Sequence, residues 1–144
     1  MYSKILLAVD GSEANRSAAI AAIEIAKAMG AEITAVYVVA GNELRPNAFG
    51  GDVSAEERNE IARKATENAF CYIEAKALEA KIKLETKVLF GKPCEEIIKI
   101  TKDYDLLVCG SLGNTGIKKA LLGSVSSKLT KYADCPVLIS RART

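Results

Sequence analysis

Apolar residues in this chain follow two alternating rhythms, short unbroken runs and longer stretches in which they recur every three or four positions. That alternation separates strands from helices. Lys4-Ile5-Leu6-Leu7-Ala8-Val9 is a continuous run closed by Asp10-Gly11-Ser12, which predicts a strand buried on both faces and then a turn. From Ala14 to Met29 the positions Ala18, Ala22, Ile25 and Met29 have helical spacing. Gly30 stands where a C-terminal cap belongs. Glu32 to Val39 is apolar and β-branched, a second strand, and strand-helix-strand favours a parallel crossover.

Gly41 to Asp52 collects glycine, asparagine and proline and reads as one long loop. Ser54-Ala55-Glu56-Glu57 has capping-box spacing. The helix it opens places Ile61, Ala65, Ala69, Ile73 and Ala77 at four-residue steps and should run to about Ala80. Lys83 to Phe90 is strand-like. Gly91-Lys92-Pro93 ends it, and Pro93 suits the first turn of a short helix carrying Ile97 and Ile98. Asp105 to Cys109 is a fourth strand ending on Gly110. A glycine-punctuated stretch to Gly123 leads into a helix with Val125 and Leu129 inward, and Pro136 to Ser140 closes the series as a fifth strand. With no internal repeat and no linker, the pattern predicts one α/β domain over residues 1–144, an open parallel sheet with helices on both faces.

Composition narrows the function. The chain has 144 residues, 49% hydrophobic and 26% charged, with 20 Lys and Arg against 18 Asp and Glu. A net charge of +2 is too small to imply nucleic-acid or membrane-surface binding. Histidine is absent, which removes the commonest general base and the commonest metal ligand and excludes Ser-His-Asp and Cys-His hydrolases. Cys71, Cys94, Cys109 and Cys135 form no Cys-x-x-Cys pair and read as scattered buried thiols. The opening apolar run is too short for a membrane span or a signal-peptide core, so a cytoplasmic location is expected.

In such sheets ligands bind beyond the carboxyl ends of the strands, where strand order reverses. The informative segment there is Gly110-Ser111-Leu112-Gly113, followed after nine residues by Gly123-Ser124-Val125. Glycines admit an anion close to the backbone, and the amides of Ser124 and Val125 at a helix start carry the positive end of the helix dipole. The same residues equally suit a tight turn and an N-cap serine with no ligand. Asp10 likewise suits a cap or a turn, and Lys118 and Lys119 a solvated face. Gly91-Lys92-Pro93 lacks Walker A spacing, and no Gly-x-Gly-x-x-Gly follows the first strand.

The Gly110-x-x-Gly113, nine residues, Gly123-Ser124 spacing resembles the ATP-binding signature of the universal stress protein family. Lys4 to Ser12, Tyr37-Val38-Val39, Asp105 to Gly110 and Cys135 to Ile139 extend the resemblance over nearly the whole chain. It implies a five-stranded sheet of order 3-2-1-4-5, Rossmann-like and akin to the adenine nucleotide alpha hydrolases. It also implies ATP or AMP in the crevice between the first and fourth strands. By that resemblance Asp10 lies near the ribose, with Ala8 in the same binding set, and the backbone of Val38 reads the adenine edge. Gly110 flanks the ribose, and Gly113, Gly123, Ser124 and Val125 hold the phosphates. Ser127 stands where many relatives carry an acidic residue.

The expected protein is a homodimeric, nucleotide-responsive regulator. Its two alternatives are a slow ATPase or self-phosphorylating enzyme, and a nucleotide-free dimeric scaffold. ATP would carry magnesium or manganese on its phosphates. The apolar run Val137 to Ile139, at a sheet edge, would pair with its twin.

Overall fold

A computed structural model of the chain describes residues 2–41, 54–111 and 123–141. Five parallel strands, β1 (Lys4–Ala8), β2 (Glu32–Val39), β3 (Leu84–Phe90), β4 (Leu106–Gly110) and β5 (Val137–Ser140), form one sheet in the order β3-β2-β1-β4-β5. Among the described residues four helices connect them: α1 (Arg16–Met29), α2 (Ala55–Ala80), α3 (Pro93–Ile100) and α4 (Ser124–Tyr132). The central strand pairs on both sides, Ile5 standing opposite Ile33 of β2 and Leu106 of β4.

Side chains alternate across the strands and divide the interior into two cores. Ile5, Leu7, Ile33, Ala35, Leu106 and Val108 face α1 and α2, whose Ala18, Ala22, Ala26, Ala69, Phe70 and Ile73 cover them. Leu6, Val36, Val38, Leu107 and Cys109 face the other way, under Ile97 of α3 and Leu129 of α4. Both faces of the central strands are therefore apolar, as the unbroken hydrophobic runs require.

Local signals hold closely. Ser54 caps α2, its hydroxyl accepting the Glu57 amide at 3.1 Å. Gly30 ends α1 in the left-handed region at φ 67°, where a β-carbon is costly. Pro93 opens α3. The first helical segment begins as a 3-10 turn, Glu13–Asn15, before α1 proper.

Helix facing departs from the sequence expectation in three places. On α1 the innermost residue of the last turns is Ala26, while Met29 is 40% exposed. On α2 the buried stripe is Ala62, Thr66, Ala69, Ile73 and Ala77, with Phe70 beside it, so Ile61 and Ala65 only flank it. Steps of four residues advance 400°, overshooting the helix by about 40° each time, so a face read only in fours drifts off the contact. On α4 Val125 is not inward but 39% exposed, and Ser126 takes the buried place. The thiols differ as well: only Cys109 is buried, and Cys71 is exposed on α2. The loop from Asn42 to Asp52 lies outside the described residues, as do Gly113, Lys118 and Lys119. Among the described residues no helix is long and apolar enough to cross a membrane.

Candidate functional site

Strand order reverses between β1 and β4. From β1 the chain leaves toward β2, and from β4 toward β5, so the segments that follow these two strands part and open a crevice between them.

The β1 wall is a self-bonded turn. Gly11 adopts φ 79°, a left-handed conformation that favours glycine, and a β-carbon there would make only ordinary contact with that of Ala69 on α2, at 3.7 Å. The turn brings the Ser12 amide and hydroxyl to the Asp10 carboxylate, donating to Oδ1 at 2.9 and 2.7 Å. Ser12 also caps the 3-10 turn by accepting the Asn15 amide at 3.2 Å. Both readings of Asp10 as a turn residue and as a rim carboxylate are thus compatible with its place.

Backbone direction follows from the ladder. In a parallel strand the amide and carbonyl of one residue point to the same neighbour, and consecutive residues alternate. The Val9 amide bonds the Val36 carbonyl, so the Ala8 carbonyl points the opposite way, toward β4. There the buried side chain of Asn15 donates to it from Nδ2 at 3.0 Å. Val38, two residues beyond Val36, presents its amide and carbonyl toward the β1 side past the last β1 residue, while its side chain lies in the α3/α4 core.

The β4 wall uses longer connections. The Ser111 amide bonds the Ser140 carbonyl at 3.1 Å, which directs odd-numbered residues of β4 to β5 and the Gly110 carbonyl toward β1 and the crevice. That carbonyl accepts the hydroxyl of Ser126, which is buried in the first turn of α4. The Gly123 amide donates to Ser111 at 2.7 Å and anchors the helix start to the end of β4. Gly123, not Ser124, is the N-cap, in extended geometry. The first intrahelical bond runs from the Ser127 amide to the Gly123 carbonyl. The amides of Ser124, Val125 and Ser126 precede it, and a helix leaves such groups without an internal acceptor. No acidic residue occupies that turn, so the positive end of the dipole is not offset there.

Cys109, just before Gly110, is buried. Burial pushes its thiol up to about 12, the neighbouring Ser126 hydroxyl opposing the shift only in part.

The structure therefore sets Ala8, Asp10, Val38, Gly110, Gly123, Ser124 and Val125 along one rim of the sheet. Two residues escaped sequence reasoning, Asn15 and Ser126. Their signal was a small polar side chain near a helix start following a strand, too common to single out.

Sheet order and a helix start at the switch point define a Rossmann-like α/β protein. The chain belongs to the universal stress protein family, whose family model matches residues 1–141. Universal stress protein MJ0531 of Methanocaldococcus jannaschii is 38% identical over 144 residues, spanning 96% of this chain and 82% of that one. The solved structure of MJ0577, from the same organism, superposes with a TM-score of 0.78 at 30% identity, covering 100% of this chain and 99% of the other. Two more distant structures share the fold. A universal stress protein in complex with cAMP matches at TM-score 0.72 and 23% identity over 99% of both chains. An Arabidopsis thaliana family member with AMP bound matches at 0.65 and 19%, over 99% of this chain and 93% of that one.

Proposed function

We propose that this chain binds an adenine nucleotide, ATP or AMP, in the β1/β4 crevice and acts as a nucleotide-responsive regulator. The observation that carries the reading is the start of α4: an anchored, glycine-capped helix terminus without acidic side chains, beside the switch point. That arrangement suits a phosphate chain. The rim opposite suits the nucleoside. Asp10 would meet the ribose, with Ala8 beneath it, and the Val38 backbone would read the adenine edge from beyond the end of β1. Gly110 would flank the ribose, and Gly113, Gly123, Ser124 and Val125 would surround the phosphates. The cAMP and AMP complexes of two proteins with this fold support an adenine ligand for the architecture.

Magnesium or manganese bound with ATP would offset phosphate charge, its ligands being phosphate oxygens and water. Efficient hydrolysis needs a group that positions or deprotonates water at the γ-phosphate. The chain has no histidine, and no Asp or Glu between Gly110 and Ser124. Turnover should fall far below the ~10 s⁻¹ typical of enzymes, so that bound and free states carry the signal. The edge strand β5, half-buried along its length, would pair with a second copy through Val137 to Ile139.

Calorimetric titration with ATP, AMP and GTP tests the reading, with phosphate release followed in parallel. Adenine-selective binding with release slower than one turnover per minute is expected. Absence of adenine-nucleotide binding overturns the reading, and several turnovers per second would make the protein an ATPase. Light scattering should give twice the chain mass at micromolar concentration, and a monomer mass would refute the β5 pairing.

A further inference from the structure

The two strands that border the crevice end in the same way. β1 turns the Ala8 carbonyl and β4 the Gly110 carbonyl toward the gap between them, past the last β1–β4 partners. Each oxygen carries partial negative charge and would repel a phosphate or attract a cation. Each is instead engaged by a buried side-chain donor from the segment that follows its own strand. Asn15 Nδ2 holds Ala8 at 3.0 Å, and the Ser126 hydroxyl holds Gly110. A donor hydrogen-bonded to a carbonyl offsets its field, more strongly in a buried setting than in water.

We propose that Asn15 and Ser126 are positioning residues that, by occupying the Ala8 and Gly110 carbonyls, set the preference of the crevice for phosphate-bearing nucleotides over the neutral nucleoside. The proposal rests on the nucleotide reading above and adds what makes the floor of the site tolerate an anion. Ser126 does so in two ways. It covers the Gly110 oxygen, and it ties the first turn of α4 to the end of β4, which keeps the amides of Ser124 and Val125 aimed at the rim. Asn15 acts from the opposite wall, through the strand end beside Asp10. Neither side chain needs to touch the ligand.

The test compares ATP with adenosine, whose difference is the phosphate chain. Affinities are measured by displacement of a fluorescent ATP analogue from the full chain, with melting temperature recorded for each variant. The native protein should bind ATP at least a hundredfold more tightly than adenosine. Ser126→Ala should narrow that ratio about tenfold while adenosine affinity stays within threefold, and Ser126→Thr, which keeps the hydroxyl, should restore it. Asn15→Ala should narrow the ratio severalfold and supplies the second arm if Ser126→Ala fails to fold. Equal weakening of ATP and adenosine, or an unchanged ratio, assigns these residues a structural role and overturns the proposal. If the native protein binds neither ligand, the nucleotide reading itself falls and this proposal falls with it. That outcome is read from the unmutated chain alone, so the two failures are distinct.

Discussion

The two walls of the crevice reach similar geometry by different means. On the β1 side three links are short in sequence: Ser12 to Asp10 spans two residues, Asn15 to Ser12 three, and Asn15 to Ala8 seven. On the β4 side Ser126 reaches back 16 residues to Gly110, and Ser111 is tied to Ser140 of the edge strand. A turn that bonds itself needs little help from the rest of the fold. A helix start held against a strand end depends on two elements packing correctly. The first wall should therefore tolerate single substitutions better than the second.

The largest expected effect tests the second wall directly. Gly123 lies in extended backbone, φ −64° and ψ 162°, a region valine readily adopts. Gly123→Val should thus leave the fold intact while its branched side chain fills the mouth of the helix start. ATP affinity should fall more than about a hundredfold, on the order of 3 kcal/mol, with circular dichroism unchanged. Calorimetry with unaltered affinity would remove α4 from the site.

Next comes stability. Ser126→Ala leaves a carbonyl without its donor in a buried setting and should cost about 1–3 kcal/mol in urea unfolding. Ser12→Ala removes a cap from a half-buried turn that water can reach, and should cost about 1 kcal/mol. The reverse order would mean that the β1 turn, not the β4 junction, holds the crevice.

A further contrast sets the carboxyl rim against the opposite one, where charge does the holding. Asp105 Oδ2 accepts the amides of Ser3 and Lys4 and the Ser3 hydroxyl, at 2.9 to 3.0 Å. These bonds hold its carboxyl below its ordinary value near 3.8, the Ser3 amide contributing most. A carboxylate whose folded value is depressed stabilises the fold above the unfolded value and loses that contribution as pH falls through the folded one. Asp105→Asn should lower the urea midpoint at pH 7, and the gap from the native protein should close as pH drops below about 4. A gap that persists at pH 2 would show the effect to be steric.

The smallest effect concerns thiols. A disulfide-exchange reagent at pH 8 should label exposed Cys71 quickly and Cys109 only on unfolding, since burial holds that thiol up near 12. Rapid native labelling of Cys109 would mean that the β4 end opens readily.

What could be read from the sequence follows the same division. Ser54 with Glu57, Gly30 after Met29, and the apolar runs of β1 and β2 are signals contained within a few residues, and the elements they mark stand within a residue or two of expectation. Strand order came from resemblance, because nothing local says which strand lies beside which. The inward turn of α4 was misread because Val125 is apolar and Ser126 polar, and only the tertiary bond to Gly110 makes the serine the better buried residue. Asn15 escaped for the same reason, its partner being a backbone oxygen whose direction depends on sheet pairing. The rim was therefore foreseeable in outline, and its two carbonyl ligations were not.

The bond that the Ser3 amide donates to Asp105 joins residues 102 apart, and its consequence is one of timing on the ribosome. β1 precedes the other four strands in chain order yet occupies the middle of the sheet, and it gains its second neighbour only when β4 has been made. Until α3 and β4 have been made, β1, β2 and β3 can gather with α1 and α2 on one side, leaving the apolar underside of Leu6, Val36 and Val38 and the β4-facing edge of β1 bare. Such an intermediate is the kind that associates wrongly with its own copies or needs a chaperone's shelter. Synthesis from Pro93 onward closes that window, covering the bare face with α3 and α4 in the same stretch that completes the crevice.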